Sequence, residues 1–225
     1  MKKIKFKTIY KTQLADTITP VGMYSKIRDK YANSLLLESS DYHSKEESFT
    51  FICVEPIVTL KADKNTFSYH YKNKELDTKS IENNFYNIFE TYSKTIEIDC
   101  EETIKSYNGF YGYISYNSIQ YFETIKLKAK KAPSEIPDFQ FSFFKFIIVI
   151  NHFNDELTLI ENIEEGEGSR IEEIQTLINA RTYGLYKYES LGEESSNCTD
   201  EEFKSNVAKA KEHCKRGDVF QLVLS

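Results

Sequence analysis

The sequence lacks tryptophan and has only four cysteines and no long apolar segment, and these shortages exclude several classes of protein. The cysteines are widely separated and form no CxxC pair, so neither a zinc site nor a redox pair is predicted. The basic residues 1–7 are not followed by the apolar segment of a signal peptide. We therefore predict no secretion and no membrane span, and expect a cytoplasmic protein with reduced thiols.

The chain also lacks a basic excess, because its formal net charge is -6 and its lysines and arginines are dispersed among acidic residues. Such a surface does not follow a phosphate backbone, so nucleic acid is not a predicted partner. A single basic cluster precedes a proline-containing stretch and is typical of a solvated linker. Its members are Lys126, Lys128, Lys130 and Lys131.

Familiar catalytic motifs are missing as well: the sequence has no Walker loop, no GxSxG elbow and no HExxH. Gly166 and Gly168 lie in an acidic stretch without the strand and helix context of a dinucleotide fingerprint. The histidines occur singly, at His43, His70, His152 and His213, and lone histidines usually serve structure. We predict no catalytic residue and no metal ligand in this chain.

Phenylalanine and tyrosine are abundant, with 16 of each in 225 residues, and many fall in short alternating runs. Alternation of this kind favours half-buried strands, so we predict an α+β fold of mostly antiparallel sheets packed with helices. Residues 139–150 and 157–160 should form the central hairpin. Residues 107–117, YNGFYGYISYN, should form a strand whose glycines mark a bulge or a close backbone approach. Further strands are predicted at 34–39, 49–54, 57–62 and 66–71.

Four helices are predicted from their starting residues. Thr19 can cap a helix that begins at Pro20, and Ser80 opens a second helix. Capping boxes begin the other two, at Ser169 with Glu172 and at Thr199 with Glu202. Gly217 should end the last of these helices.

The polar stretch 184–197 is predicted to be a linker, and residues 218–225, DVFQLVLS, a strand with no partner left in the chain. We therefore predict one domain at 1–197 and the first helix and strand of another at 198–225. On this interpretation the chain stops inside a strand and holds no complete active site.

Glu38 and Ser39 are the candidate binding residues. They end the apolar run Leu35 to Leu37, and together they offer a carboxylate for an ammonium group and a hydroxyl for a polar group. The neighbouring leucines could hold a hydrophobic side chain, so the pair suits a small zwitterion. On periodicity alone the alternative is favoured, in which the two residues only begin a solvent-exposed loop.

Four segments of the chain resemble the amino-terminal part of anthranilate synthase component I, in the order that family has them. They are LLLESSD at 35–41, FTFICVEP at 49–56, NGFYGYISYN at 108–117 and GDVFQLVLS at 217–225. The last is the most specific, because a similar stretch opens the chorismate-binding domain of the family. Together they span nearly the whole chain.

This resemblance implies a full-length lyase of tryptophan biosynthesis that converts chorismate and ammonia from glutamine to anthranilate and pyruvate. It also implies Mg²⁺, a glutamine amidotransferase partner (component II) and feedback inhibition by L-tryptophan. Glu38 and Ser39 match the family's tryptophan-site residues, so the resemblance makes the loop alternative the less favoured one. The family's chorismate and Mg²⁺ residues, and part of its tryptophan pocket, lie beyond Ser225. We therefore expect the fragment alone to be inactive.

The sequence departs from the family pattern at three positions. Asn108 precedes Gly109 where the family often has two adjacent glycines, Asn117 replaces a usual aspartate, and Cys53 replaces a common glycine. Three alternatives remain: an aminodeoxychorismate synthase component I, a freestanding amino-acid-binding module, and a structural interaction domain.

Overall fold

The computed structural model describes residues 3–39, 48–82, 84–125, 127, 136–180 and 187–224. The chain divides into two compact units, Met1–Gly184 and Leu185–Ser225. Three features of the sequence analysis lie outside the described residues. They are the end of the LLLESSD motif, His43, and the basic cluster of Lys126, Lys128, Lys130 and Lys131.

Within the described part of the first unit, nine strands form one sheet. Their bounds are β1 (Ile4–Leu14), β2 (Leu35–Glu38), β3 (Phe49–Asp63), β4 (Thr66–Tyr71), β5 (Lys74–Ser80), β6 (Ile96–Asp99), β7 (Phe110–Ile114), β8 (Phe139–Asn151) and β9 (Glu156–Glu164). The order is β5-β4-β3-β8-β9-β1-β6, with β2 added on β3 and β7 on β8. Among these strands only β1 and β6 pair in parallel. The predicted mostly antiparallel α+β fold is confirmed.

The two long strands β3 and β8 form the centre of the sheet. Each changes neighbours along its length: β3 pairs with β2 and then β4, while β8 pairs with β7 and then β9. The prediction of two strands at 49–54 and 57–62 was wrong, because β3 continues through Glu55 and Pro56. A register shift occurs here and Glu55 has a φ of 61°, so these residues bend the strand without ending it.

Helices cover both faces of the central strands. They are α1 (Pro20–Ile27), α2 (Phe85–Ser93), α3 (Glu102–Lys105) and α4 (Ile171–Asn179). The apolar faces of α1 and α4 pack on one side of β3, β8 and β9. The opposite side of the same strands is covered around Ile104 of α3, and α2 packs on the region where β3 meets β4. Ile52 and Cys53, successive residues of β3, thus face two different cores.

The predicted helix starts are confirmed in part. Thr19 caps α1, its hydroxyl oxygen accepting from Gly22 N at 3.2 Å. The predicted start at Ser80 was wrong, because Ser80 ends β5 and α2 begins at Phe85. The sequence analysis missed β5, which follows a second turn. Lys72 and Asn73 in this turn have positive φ, as do Lys64 and Asn65 in the turn before β4. Each pair makes a tight hairpin.

The predicted capping box of α4 was also wrong. The Ser169 hydroxyl donates to Glu161 Oε2 at 2.7 Å, and Arg170 N donates to Glu161 Oε1 at 2.8 Å. Glu161 is fully buried in β9, so a carboxylate from the sheet satisfies the amino end of the helix. A partner distant in sequence replaced the local one.

The second unit contains α5 (Asp200–Arg216), and its capping box is confirmed by both reciprocal hydrogen bonds between Thr199 and Glu202. Gly217 ends the helix with a φ of 78°, as predicted. Residues 218–224 form no strand ladder within the described part of the chain, so the predicted strand is not seen there. Of the helices described, none has the length and apolarity needed to cross a membrane.

Candidate functional site

Glu38 and Ser39 lie together at the carboxyl end of β2, and both are exposed. Glu38 pairs in register with Thr50 of β3, and Ser39 N donates to Phe49 O at 3.0 Å. The predicted pair is therefore held by the last ladder bonds between β2 and β3. Neither side chain has a hydrogen-bond partner among the described residues.

Strand geometry restricts where such a ligand could bind. Successive residues of a strand point to opposite faces, and Leu37 and Glu38 pair with Phe51 and Thr50, which alternate in the same way. Glu38 and the following Ser39 thus leave the sheet on different sides. A small molecule that contacts both must lie across the end of β2 and not flat on either face.

An aromatic cluster lies on the β3 segment that flanks this strand end. Phe49 and Phe51 of β3 pack with Tyr107 and Tyr111, and all four are half-buried. Their ring centroids are 5.7 Å apart for Phe49 and Tyr107, and 5.3 Å apart for Phe51 and Tyr111. The Tyr111 hydroxyl donates to Tyr107 O at 2.6 Å. Because Ser39 pairs directly with Phe49, the polar strand end and the aromatic cluster are adjacent.

Burial affects two titratable groups at the cluster. Burial raises the pKa of the Cys53 thiol, and burial together with the nearby Cys53 raises the pKa of the Tyr111 hydroxyl. Both groups thus stay neutral at physiological pH, and the cluster carries no charge of its own. It offers ring surfaces for stacking and apolar contact on the Ser39 side of the sheet. Glu38, which lies opposite Thr50, is on the other side of the strand end.

Sequence reasoning missed the polar residues around the strand end. His152 N donates to Ser48 O at 3.0 Å, and His152 Nε2 lies 2.7 Å from Thr50 Oγ1. His152 follows β8, so only the β3–β8 register brings it to Glu38 through the Thr50 pair. No local signal in the sequence could have found it. Tyr107 and Tyr111 belonged to a recognised motif, but nothing local placed them beside Phe49.

The described residues contain no group of three or more histidine, cysteine or acidic side chains that could hold a metal ion.

Fold and site together define an α+β protein whose antiparallel sheet carries a half-buried aromatic cluster beside a polar strand end. The family described as chorismate binding enzyme matches residues 34–225. This chain belongs to that family.

Several curated relatives share the name anthranilate synthase component 1. The protein of Methanothermobacter thermautotrophicus is 29% identical over 209 residues, which cover 92% of this chain and 41% of the relative. The protein of Lactococcus lactis is 27% identical over 220 residues, which cover 94% of this chain and 46% of the relative. The chain thus spans less than half the length of these relatives.

Other matches include the chloroplastic anthranilate synthase alpha subunit 1 of Arabidopsis thaliana, 26% identical over 96% of this chain and 42% of the relative. Among solved structures, anthranilate synthase component I from Streptococcus pneumoniae aligns with a TM-score of 0.48 at 18% identity. That alignment covers 92% of this chain and 46% of the other.

Proposed function

We propose that this chain is the amino-terminal part of an anthranilate synthase component I. The complete protein would be a cytoplasmic lyase that converts chorismate and glutamine-derived ammonia to anthranilate and pyruvate in tryptophan biosynthesis. The family match over residues 34–225 and the shared name of the relatives support this assignment. A glutamine amidotransferase subunit would supply the ammonia. Mg²⁺ would bind to residues outside this chain, which is why these 225 residues alone would be inactive.

Within that enzyme, the first unit would sense L-tryptophan at the end of β2. The observation that carries this proposal is the bond from Ser39 N to Phe49 O, because it joins the polar strand end to the aromatic cluster. Glu38 would face the ligand ammonium, and the Ser39 hydroxyl would bond a polar group of the amino acid. The aromatic cluster would contact the indole ring.

Inhibition would follow from thermodynamic linkage between the binding of tryptophan and the binding of chorismate. A ligand that binds a less active conformation more tightly shifts the population toward that conformation. Reciprocity then requires chorismate to weaken tryptophan binding by the same factor. Feedback control needs no contact between the two ligands.

The test is calorimetric titration of L-tryptophan into the complete protein, comparing wild type with Ser39→Ala and Glu38→Gln. We expect the dissociation constant to rise about 5- to 10-fold for Ser39→Ala and at least about 10-fold for Glu38→Gln. Ser25→Ala in α1 and Glu90→Gln in α2 are control substitutions of the same kind at half-buried helix positions, and they should leave it unchanged.

Two outcomes would count against the proposal. A wild-type protein that binds no tryptophan would remove the sensing role altogether. Tryptophan binding that is insensitive to both Ser39→Ala and Glu38→Gln would place the site elsewhere in the protein.

A further inference from the structure

A hydrogen-bonded pair of asparagines adjoins the aromatic cluster through Asn108, the residue that follows Tyr107 in the chain. Asn162 lies in β9 with its side chain wholly buried, and Asn108 is half-buried immediately before β7. Polar side chains are buried at a cost unless their hydrogen bonds are made. A fully buried asparagine therefore indicates specific hydrogen bonds.

The contacts of this pair are complete and reciprocal. Asn162 Nδ2 donates to Asn108 Oδ1 at 3.0 Å, and Asn108 Nδ2 donates to Asn162 Oδ1 at 2.8 Å. The Thr8 hydroxyl of β1 donates to Asn162 Oδ1 at 2.7 Å and accepts from Asn108 Nδ2 at 3.1 Å. The second donor hydrogen of Asn162 goes to Phe144 O of β8 at 2.9 Å. Both hydrogens of each amide are thus used.

Such a network admits little displacement. Moving Asn108 would break bonds to two strands at once and leave the buried Asn162 amide partly unpaired, which costs more than a solvent-exposed bond gains. Asn108 is therefore fixed relative to β1 and β9, although it lies in the connection between α3 and β7.

The residue that this network fixes most directly is Tyr107, the chain neighbour of Asn108. The Tyr107 ring lies 5.7 Å from the Phe49 ring and 6.2 Å from the Phe51 ring. Its carbonyl oxygen accepts the Tyr111 hydroxyl at 2.6 Å. The amide pair thus determines where two of the four rings of the aromatic cluster stand relative to Ser39.

We propose that Asn108 and Asn162 are positioning residues that set the shape of the aromatic cluster for an indole ring. This inference rests on the proposed tryptophan-sensing function and extends it to specificity. The amides would act through the backbone that joins Asn108 to Tyr107, and not by contact with the ligand. Both bonds between the asparagines depend on the Asn108 side-chain amide.

The test uses the complete protein with Asn108→Ala, which removes the amide but leaves Asn162 its bonds to Thr8 and Phe144. We measure the tryptophan dissociation constant, the fluorine NMR shift of bound 5-fluorotryptophan, and kcat and KM for chorismate without inhibitor. We expect the dissociation constant to rise about 5- to 10-fold and the fluorine shift to move toward that of free ligand. The uninhibited kcat and KM should not change.

A matched control separates positioning from general loss of stability. Ile174→Val removes a methylene from the α4 side of the sheet, so it lowers stability without touching the aromatic cluster. It should leave both the dissociation constant and the fluorine shift at wild-type values. If Asn108→Ala fails to fold, Thr8→Val replaces it, because it keeps the shape of the side chain and loses the hydroxyl that bonds both asparagines. We expect it to raise the dissociation constant about 3-fold.

The outcomes distinguish this inference from the function on which it rests. If wild-type protein binds no tryptophan, the proposed function fails. If wild type binds tryptophan and the folded Asn108→Ala variant, or Thr8→Val in its place, binds it with wild-type affinity and fluorine shift, the positioning role is wrong. If Ile174→Val weakens binding as much as Asn108→Ala does, the effect is one of stability, and the inference is likewise wrong.

Discussion

At the scale of single residues, Gly112 marks a close approach between β7 and β8. A Cβ atom at this position would lie 1.9 Å from Gln140 O and 2.7 Å from Phe141 Cα, both on the neighbouring strand. Backbone atoms in a paired strand cannot move aside as a flexible side chain can. Gly112→Ala should therefore lower the free energy of unfolding by more than about 3 kcal/mol, measured by urea denaturation.

Gly109, three residues earlier in the same motif, is the matched control. A Cβ there would meet no atom within 4 Å, so Gly109→Ala should change the free energy of unfolding by less than about 0.5 kcal/mol. Equal effects of the two substitutions would mean that β7 does not pack on β8 as described.

These glycines show what residue-level signals can and cannot predict. Small residues between aromatics predicted a close approach at 107–117, and Gly112 confirms it because a strand glycine has few other uses. Ser169 shows the opposite case. Its spacing to Glu172 predicted a capping box, yet the buried Glu161 offers its hydroxyl a stronger, charged acceptor. The spacing of nearby residues contains no information on such a distant partner.

At the scale of elements, α4 is joined to the sheet through a buried charge pair. Lys145 of β8 and Glu161 of β9 are both buried, with Nζ 4.0 Å from Glu161 Oε1 and 2.7 Å from Glu167 Oε2. Hydrogen bonds from Lys145 and Lys72 hold the pKa of Glu167 below its usual range. The Glu161 carboxylate in turn accepts a hydrogen bond from Arg170 N at the amino end of α4. Lys145 thus compensates the negative charge that binds the start of this helix.

Lys145→Met should lower the free energy of unfolding by about 3–5 kcal/mol, because it leaves the buried Glu161 carboxylate uncompensated. Lys94→Met is the control: its ion pair with Glu90 is exposed and should contribute about 0.5 kcal/mol or less. Urea denaturation at pH 7 measures both. A cost for Lys145→Met no larger than the control's would show that Glu161 does not depend on this lysine.

The same ion pairs predict how stability depends on pH. Since the folded pKa of Glu167 lies below its ordinary value of 4.5, its contribution is complete above pH 4.5 and is lost as pH falls through the folded pKa. Lys145→Met should therefore weaken the acid dependence as well as the stability at pH 7.

Strands and helices were predicted correctly where the hydrophobic periodicity was strong. They were missed where pairing with distant parts of the chain determined the structure. The hairpin of β8 and β9 and the helix at Pro20 were predictable, since their apolar residues recur at the expected spacing. The polar strand β5 was missed because it lies at the sheet edge and buries little. For the candidate site, sequence resemblance suggested Glu38 and Ser39, which stay a prediction, and only the folded chain brought Phe49 next to Ser39 and Tyr107 next to Phe49.

At the scale of the whole molecule, the first unit contains all of the buried core that the structure describes. None of the described residues 187–224 is buried, and the apolar residues of α5 stay accessible, with Phe203 50% exposed. By contrast, α4 near the end of the first unit buries Ile174 and Ile178 against the sheet. Stability should therefore depend on the chain as far as α4 and little on the second unit.

A chain ending at residue 184 should keep a thermal midpoint within about 2 °C of that of residues 1–225, measured by circular dichroism, because no described core residue is removed. The matched control is a chain ending at residue 165, which also loses α4 and its buried isoleucines. Each fully buried isoleucine contributes about 1.5–3 kcal/mol, a large fraction of the stability of an ordinary domain, so the shorter chain should not fold cooperatively. A marked fall in the midpoint on removing residues 185–225 alone would show that the second unit stabilises the first.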